Sequence, residues 1–240
     1  MKKIVLISIC LTFFGFTNTF SQRKKVENLP NFDKKPWNFG YYLGVNKNSF
    51  VVDYGDSSFS NSFVEVDAGL GFLVGVMVEK RLHKNVSLRF EPGLMSNVKT
   101  LRFSNDDGNF DTDLNSERKV PSTYLHMPLL LKFSTDRLRN IKPYVVGGLA
   151  FDYNFSANEN NPEDNTMGSG EFRTTKSNYM YELGIGIDFY TPYFKFSPSL
   201  RGVFALNNEL VDDNVNVTSP YTGPIDNFAT RGVFLKLTFE

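Results

Sequence analysis

Apolar and polar residues alternate with a period of two in eight stretches of the chain. This period is typical of a β-strand with one apolar face, because successive side chains of a strand point to opposite sides. In the last stretch the apolar face consists of Val233, Leu235, Leu237 and Phe239. We therefore predict eight strands, at residues 37–45, 69–79, 86–94, 124–133, 144–154, 179–189, 194–204 and 232–239.

The connections between these strands alternate in length. Three are short, at Leu82–Asn85, Ser134–Asn140 and Tyr190–Tyr193. Four are long, at Lys47–Asp67, Ser104–Val120, Ser156–Lys176 and Asn207–Phe228. Outer-membrane barrels have short turns in the periplasm and long loops outside the cell. The pattern thus predicts such a barrel, with both chain termini in the periplasm.

The faces opposite the apolar ones combine glycine with charged residues. A soluble barrel of the lipocalin kind would turn its apolar face inward, but this mixture suits a narrow interior in which opposite charges pair. Eight strands enclose a space that side chains almost fill. We therefore predict an all-β, eight-stranded antiparallel transmembrane up-and-down β-barrel with a plugged interior. The predicted interior charge network consists of Glu79, Arg89, Glu91, Lys132, Glu182, Asp188, Lys195, Arg201 and Lys236.

Aromatic residues concentrate near both ends of the predicted strands, which is typical of the two girdles at the membrane interfaces. The girdle near the short turns would contain Trp37, Phe39, Phe133, Phe189, Tyr193, Phe194 and Phe239. The girdle near the long loops would contain Tyr153, Tyr179, Tyr181 and Phe204.

Residues 1–21 have the pattern of a secretory signal peptide. Lys2 and Lys3 precede an apolar run from Ile4 to Phe16, and a short polar stretch follows it. We predict cleavage near Ser21. The chain's one cysteine, Cys10, lies in this segment, so the mature chain would contain no thiol. Residues 22–36 would then form a periplasmic lead-in, and residues 37–240 the barrel domain.

The charge distribution bears on the partners. The chain has 26 basic and 26 acidic residues, and removal of Lys2 and Lys3 leaves a net charge of −2, which argues against nucleic acid as a partner. In the four long loops, acidic residues outnumber basic ones by twelve. These loops would be solvated and could bind a basic partner or divalent cations.

Enzymatic chemistry finds little support in the sequence. The two histidines, His83 and His126, are predicted in a short turn and on an inward strand face, away from lipid, whereas a barrel lipase needs a serine–histidine pair that lipid can reach. The acidic loop 106–113 has Thr112 where a calcium loop requires glycine. We therefore predict no enzyme activity, no catalytic, cofactor-binding or metal residues, and no small-molecule substrate.

A family resemblance is carried by residues 28–46, NLPNFDKKPWNFGYYLGVN. This stretch resembles the start of PorT family proteins, in which a short box precedes a first strand of similar sequence; Asn38 stands where the family often has histidine. Residues 124–132 and 142–148 look like the general outer-membrane barrel domain that is common in Bacteroidetes.

The resemblance implies a non-enzymatic component of the type IX secretion system, required for cargo export and gliding motility, with other secretion components and outer-membrane lipid as partners. On this basis the lead-in would contact other secretion parts, with Phe32, Asp33, Lys34 and Lys35 as candidates. Two alternatives stay open: the lead-in could be a disordered tether, and the barrel could be a generic surface protein that binds a ligand through its acidic loops.

Overall fold

A computed structural model of the chain describes residues 26–54, 62–105, 117–157, 173–211 and 225–240. The predicted signal peptide, the first four residues of the lead-in and most of each long loop lie outside these ranges. The acidic loop 106–113 therefore also lies outside the described residues.

The described chain consists of one short 3₁₀-helix, Phe32–Lys34, and ten β-strands. The strands are β1 (Trp37–Tyr54), β2 (Ser62–Asp67), β3 (Gly69–His83), β4 (Val86–Phe90), β5 (Gly93–Asn105), β6 (Glu117–Ser134), β7 (Ile141–Asn154), β8 (Ser177–Tyr190), β9 (Lys195–Ala205) and β10 (Ile225–Phe239).

The strands close into a ring of antiparallel pairs. β1 pairs with β3 on one side and with β10 on the other, and β6 to β9 each pair with the strand that follows in sequence. β3 pairs with both β4 and β5, and β6 also pairs with both. Because β2–β3 and β4–β5 are each one interrupted wall strand, the ring contains eight such strands. The predicted eight-stranded antiparallel barrel is confirmed.

Each interruption has a local cause. Between β2 and β3 the pairing with β5 shifts by one residue, and a side chain at Gly69 would collide with the carbonyl oxygen of Val98. Between β4 and β5 stands Pro92, which has no N–H to donate to a neighbouring strand. Its carbonyl oxygen nevertheless accepts from Val76 N at 3.0 Å, so the wall stays closed.

Several strands extend further than the sequence pattern predicts. β1 runs to Tyr54 and β10 begins at Ile225, so the predicted boundaries of the long loops are wrong at these places. The ladder between them continues to the pair Tyr54↔Ile225. The outward side chains here include Lys47 and Asp53, which are exposed and charged. The inward side chains here include Phe50 and Phe228, so the apolar face has moved inside and the apolar-outward pattern used for the prediction ends before the strand does.

The outer face of the ring is apolar over the middle of every strand. Leu70, Phe39 and Leu149 expose 78%, 68% and 63% of their surface. Contiguous exposed apolar surface of this extent is unusual for a soluble monomer and suits contact with hydrocarbon. No helix of the described residues is both long and apolar enough to cross a membrane.

The interior is filled in layers. One apolar layer lies across the middle and contains Tyr42, Leu73, Met95, Tyr124, Ala150, Met180, Val203 and Phe234. A second apolar cluster lies toward the long loops and contains Phe50, Leu101, Leu210, Ile225 and Phe228. Most buried charged residues occupy the half that is nearer the short turns, while Lys99 and Glu209 are buried toward the long loops.

Aromatic contacts form at both predicted girdles. Toward the short turns, Phe239 stacks on Tyr41 with ring centroids 5.3 Å apart and lies 5.2 Å from Phe196. Toward the long loops, Tyr181 stacks on Phe204 at 4.9 Å. Each of these pairs joins neighbouring strands, so the girdles also strengthen the wall.

Deletion of residues 228–240 removes most of β10 and leaves β1 and β9 with unpaired edges. We expect the truncated chain to fail to insert, since unpaired backbone groups are too costly in hydrocarbon. The measurement is heat-modifiable migration of the membrane fraction in gel electrophoresis. A matched control deletes residues 26–34, which removes no strand and should leave the barrel inserted. A heat-modifiable, membrane-bound truncation product would contradict the requirement for closure.

Candidate functional site

Glu91 is the centre of the buried charge network. Its two oxygens accept from both terminal nitrogens of Arg201, each at 2.8 Å. Lys236 Nζ also donates to it at 2.9 Å, and Arg89 Nη1 lies 3.4 Å away. The residue sits just before Pro92, where the interruption between β4 and β5 begins. One carboxylate thus joins three cations that come from three wall strands.

The network continues toward the short turns through Arg89 and one further cation, Lys195. Arg89 pairs with Glu79 and lies 3.2 Å from a carboxylate oxygen of Glu240. Lys195 Nζ is 2.6 Å from the other oxygen of Glu240 and 3.9 Å from Asp188. These side chains are essentially inaccessible to solvent, so each charge depends on its partners for stabilisation.

Lys132 links the two sides of this region, because its Nζ lies 2.7 Å from Asp188 and 3.6 Å from Glu79. It also lies 4.2 Å from the ring centroid of Tyr144. The contacts of Lys132 therefore connect the Glu79 and Asp188 carboxylates near the short-turn end of the barrel.

His126 is held between two carboxylates in the interior. Its Nδ1 lies 2.5 Å from Asp152 Oδ1, and its Nε2 lies 2.7 Å from Glu182 Oε1, at an angle that is poor for a hydrogen bond. A neutral imidazole has a single N–H, so two flanking carboxylates favour the doubly protonated ring. With that charge, the network balances six cations against six carboxylates.

All nine residues predicted for the network lie in the interior, and ion-pair contacts join them into one connected group. Sequence reasoning left three members out: His126, Asp152 and Glu240. Strand parity predicts inward positions for His126 and Asp152, and a place for His126 within the interior network, although the predicted set of nine residues includes neither. Glu240 follows the last strand residue, where alternation gives no guidance.

The end toward the long loops is also filled. Residues 206–211 fold inward: Glu209 N donates to the carbonyl oxygen of Phe228 at 2.7 Å, and a bridge joins Leu210 to Thr174. The Glu209 carboxylate accepts from the backbone N and the hydroxyl of Thr230. Burial raises the pKa of Glu209. Within the described residues this segment packs over the charged and apolar layers beneath it.

At the opposite end, residues 26–36 form a strap that lies against the barrel mouth. Pro36 accepts from Arg81 N beside the start of β1. At the other end of the strap, Asn28 Nδ2 donates to the carbonyl oxygen of Tyr190, and its backbone N donates to Asn140 Oδ1, both at 2.9 Å. These anchors belong to the ends of β7 and β8, across the ring from β1. The strap therefore spans the mouth.

Asp33 and Phe32 attach the middle of the strap to the wall. Asp33 Oδ1 accepts from the Tyr190 hydroxyl at 2.7 Å. Phe32 packs edge-on against the Tyr190 ring, with centroids 6.2 Å apart, and lies 4.9 Å from Lys195 Nζ. Because Lys195 also belongs to the interior network, the strap and the network share one side chain.

Arg137, in the connection between β6 and β7, holds the first part of the strap. Its guanidinium donates to the carbonyl oxygens of Leu29 and Asn28 and lies over the Tyr190 ring at 3.7 Å. Leu29 has a φ of 49°, so the backbone turns there through the left-handed region. Residues 26–36 are thus docked on the barrel and do not form a free tether.

The four predicted partner-contact residues divide into two groups. Phe32 and Asp33 are engaged with the barrel itself. Lys34 and Lys35 are exposed; Lys34 Nζ donates to its neighbour Asn31 at 3.2 Å, and Lys35 lies 5.4 Å from the Phe32 ring. Among the described residues, no cluster of three or more histidine, cysteine or acidic side chains is arranged to hold a metal ion.

Comparison with known proteins places the architecture in context. A family model described as "Outer membrane protein beta-barrel domain" matches residues 20–211. No curated protein sequence matches the chain.

Solved outer-membrane proteins have a similar shape at low identity. OprG of Pseudomonas aeruginosa is 11% identical, with 83% of this chain and 94% of that chain covered and a TM-score of 0.45. Neisserial surface protein A is 10% identical, with coverages of 85% and 98% and a TM-score of 0.44. The protease OmpT of Escherichia coli is 12% identical, with coverages of 85% and 94% and a TM-score of 0.34.

Replacement of Glu91 by Gln should destabilise the barrel, because three buried cations then lose a shared carboxylate. Breaking a buried ion pair typically costs about 3–5 kcal/mol. The measurement is the free energy of unfolding in lipid vesicles, followed by the fluorescence of the single tryptophan, Trp37. The control, Asp67→Asn, removes a half-exposed partner of Arg102 and should cost less than about 1 kcal/mol. Equal losses in the two variants would refute a dominant role for the interior network.

Replacement of Arg137 by Ala should release the strap, since the guanidinium joins Asn28 and Leu29 to the wall. We expect faster cleavage after Lys34 by trypsin added to the folded barrel, since the bond after Lys35 precedes Pro36 and resists trypsin. The control is Arg139→Ala on the same connection, because among the described residues the Arg139 side chain forms no hydrogen bond or ion pair with the strap. Unchanged cleavage in the Arg137 variant would show that other contacts suffice to dock the strap.

Proposed function

The chain belongs to the outer membrane protein beta-barrel domain family, and from this premise we propose that it is a PorT-like, non-enzymatic component of the type IX secretion system, needed for cargo export and gliding motility. The observation that carries the proposal is the strap: the residues that resemble the PorT lead-in are the ones that cross the barrel mouth. A segment with this position is well placed to meet other secretion components.

The filled interior supports a role in assembly and not in conduction. The charge network and the apolar layer of Tyr42 and Phe234 occupy the cross-section, and the segment around Glu209 packs above them. A folded cargo protein has no path through such a barrel. The protein would therefore act through its ends and its outer wall, as a scaffold for other parts of the machinery.

The contacts of the strap suggest two different roles for the predicted contact residues, docking on the barrel and binding of a partner. Asp33 and Phe32 fix the strap to Tyr190, which leaves Lys34 and Lys35 exposed for a partner. In this proposal the docked residues orient the strap, and the two lysines attract an acidic surface of a neighbouring secretion component.

A non-enzymatic role agrees with the surroundings of His126. Both ring nitrogens face carboxylates inside the barrel, so neither is available to activate a nucleophile for a lipid ester. The proposal also places both chain ends in the periplasm. The start of β1 and the end of β10 lie at the same end of the ring as the short connections, and this is the periplasmic end in outer-membrane barrels.

A second candidate is a generic surface barrel that binds a ligand or partner through its long loops. The excess of twelve acidic residues in these loops favours it. Such a protein would need the loops for binding, whereas the secretion role needs the strap.

The two candidates are separated by charge reversal on the strap. In a deletion strain complemented with the Lys34→Glu/Lys35→Glu variant, we expect a normal, heat-modifiable barrel but loss of type IX cargo from the medium, as with deletion of residues 26–34. The reason is that the lysines contribute little to docking of the strap, so only the partner contact changes. The measurement is the amount of secreted cargo relative to the wild-type chain.

The matched control, Lys47→Glu/Lys119→Glu, reverses two exposed lysines at the other end of the barrel and should secrete normally. Normal secretion in both the strap charge variant and the strap deletion would refute the secretion role. Loss of one binding activity with secretion intact, in variants of the acidic loops, would favour the surface-barrel candidate.

A further inference from the structure

The hairpin between β6 and β7 borders a hollow that the proposed function does not use. The hollow has a volume of about 950 Å³ and lies between the start of the strap and the connection at residues 137–141. Its apolar walls include Val26, Leu138 and Ile141, which expose 75%, 67% and 42% of their surface. Exposed apolar side chains beside arginines form an amphipathic lining.

Arg139 carries a positive charge beside this hollow that is not paired with a carboxylate among the described residues. Within the described part of the chain, no carboxylate or other group bonds its guanidinium, which is exposed. The neighbouring charges are already paired: Arg137 lies 3.4 Å from Glu27 and 3.6 Å from Asp33, and Lys84 lies 2.9 Å from Asp136. An anion that enters the hollow would therefore meet one free guanidinium, with no free carboxylate opposing it.

The backbone holds Arg139 in this position. Its φ of 61° lies in the left-handed region, and Leu138 and Ile141 bridge to each other on either side of it. Arg139 O also accepts from Arg137 Nε at 2.5 Å. The guanidinium is thus carried at the tip of a tight turn whose geometry is fixed by neighbouring bonds.

An apolar groove begins on the same hairpin and follows the outer wall into the membrane. Two adjoining hollows of about 750 and 630 Å³ share Phe133, Val145, Ile185 and Leu200. The groove is deepest at Gly147 and Gly202, because these outward-facing positions have no side chain. Ser134 and Thr135 line the end nearest the hairpin. The groove is as wide as several strands and lies on the wall that faces hydrocarbon.

We propose that this hairpin and groove form a site for an anionic phospholipid of the periplasmic leaflet. The phosphate would bind Arg139, the glycerol region would lie beside Leu138 and Ile141, and one acyl chain would occupy the groove over Val145. The groove continues the membrane interface of the barrel, and Arg139 complements the charge of the headgroup. The site rests on membrane orientation and not on the secretion role.

The test is native mass spectrometry of the full barrel, released from detergent micelles that contain equimolar phosphatidylglycerol and phosphatidylcholine. We expect the wild-type chain to retain phosphatidylglycerol with about tenfold preference, the size of one charge-assisted hydrogen bond. Arg139→Gln should reduce this preference to about twofold or less. Val145→Trp, which fills the groove, should lower retention of both lipids.

Lys47→Gln serves as the matched control, since it removes one exposed cation at the other end of the barrel and should not change the preference. Equal retention of the two lipids by the wild-type chain would overturn the proposal, as would a preference that persists in Arg139→Gln or falls equally in Lys47→Gln. Complete displacement of phosphatidylglycerol by an equal concentration of glycerol phosphate would also overturn it, because the site would then bind a free anion. None of these results depends on cargo export.

Discussion

The pairing of backbone N–H and C=O groups within hydrocarbon is the constraint from which the other features of this barrel follow. Lipid offers no hydrogen-bond partners, so the first and last strands must meet, and the ladder between β1 and β10 is the pair that closes the ring. In a closed barrel, every side chain of the wall must face either the lipid or the interior. Apolar side chains meet lipid, and the charges are enclosed in a space from which bulk water is excluded.

Enclosed charges are tolerable only as a balanced group. Glu91 illustrates the solution, because one carboxylate contacts three cations and the guanidinium of Arg201 binds it with two parallel hydrogen bonds. The same side chains fill the cross-section, so electrostatic balance and the closed interior have one origin. Lys195 extends this group to the strap through Phe32, which makes the strap part of the same packing unit.

The sequence predicts the wall of this barrel well and its ends poorly. The side of the wall that Leu183 and Glu182 face can be predicted, because lipid favours apolar residues and the interior favours polar ones at neighbouring positions. Beyond the lipid this contrast ends: Lys47 and Asp53 point outward into water, and the strand continues without the apolar-outward pattern.

Contacts that join distant segments escape the sequence pattern as well. Nothing near Asp33 in sequence indicates that it accepts a hydrogen bond from Tyr190, because the separation along the chain is 157 residues. Glu240 is similar, since its pairing with Lys195 depends on how the strand end turns inward. By contrast, the inward position of the nine charged residues assigned to the interior follows from the alternation within their own strands, so no distant contact has to be known.

The unequal lengths of the wall strands give the barrel a slanted upper rim. β6 continues for seven residues beyond its last pair with β7, which corresponds to roughly 23 Å of extended chain, while β9 ends at Ala205. The tall side, formed by β1, β2, β5 and β6, carries outward charges such as Lys119 and Arg102. On the low side, the wall ends close to the stacked rings of Tyr181 and Phe204. A molecule beside this end of the barrel therefore meets charged side chains on one side and aromatic rings on the other, so the two sides present different chemistry.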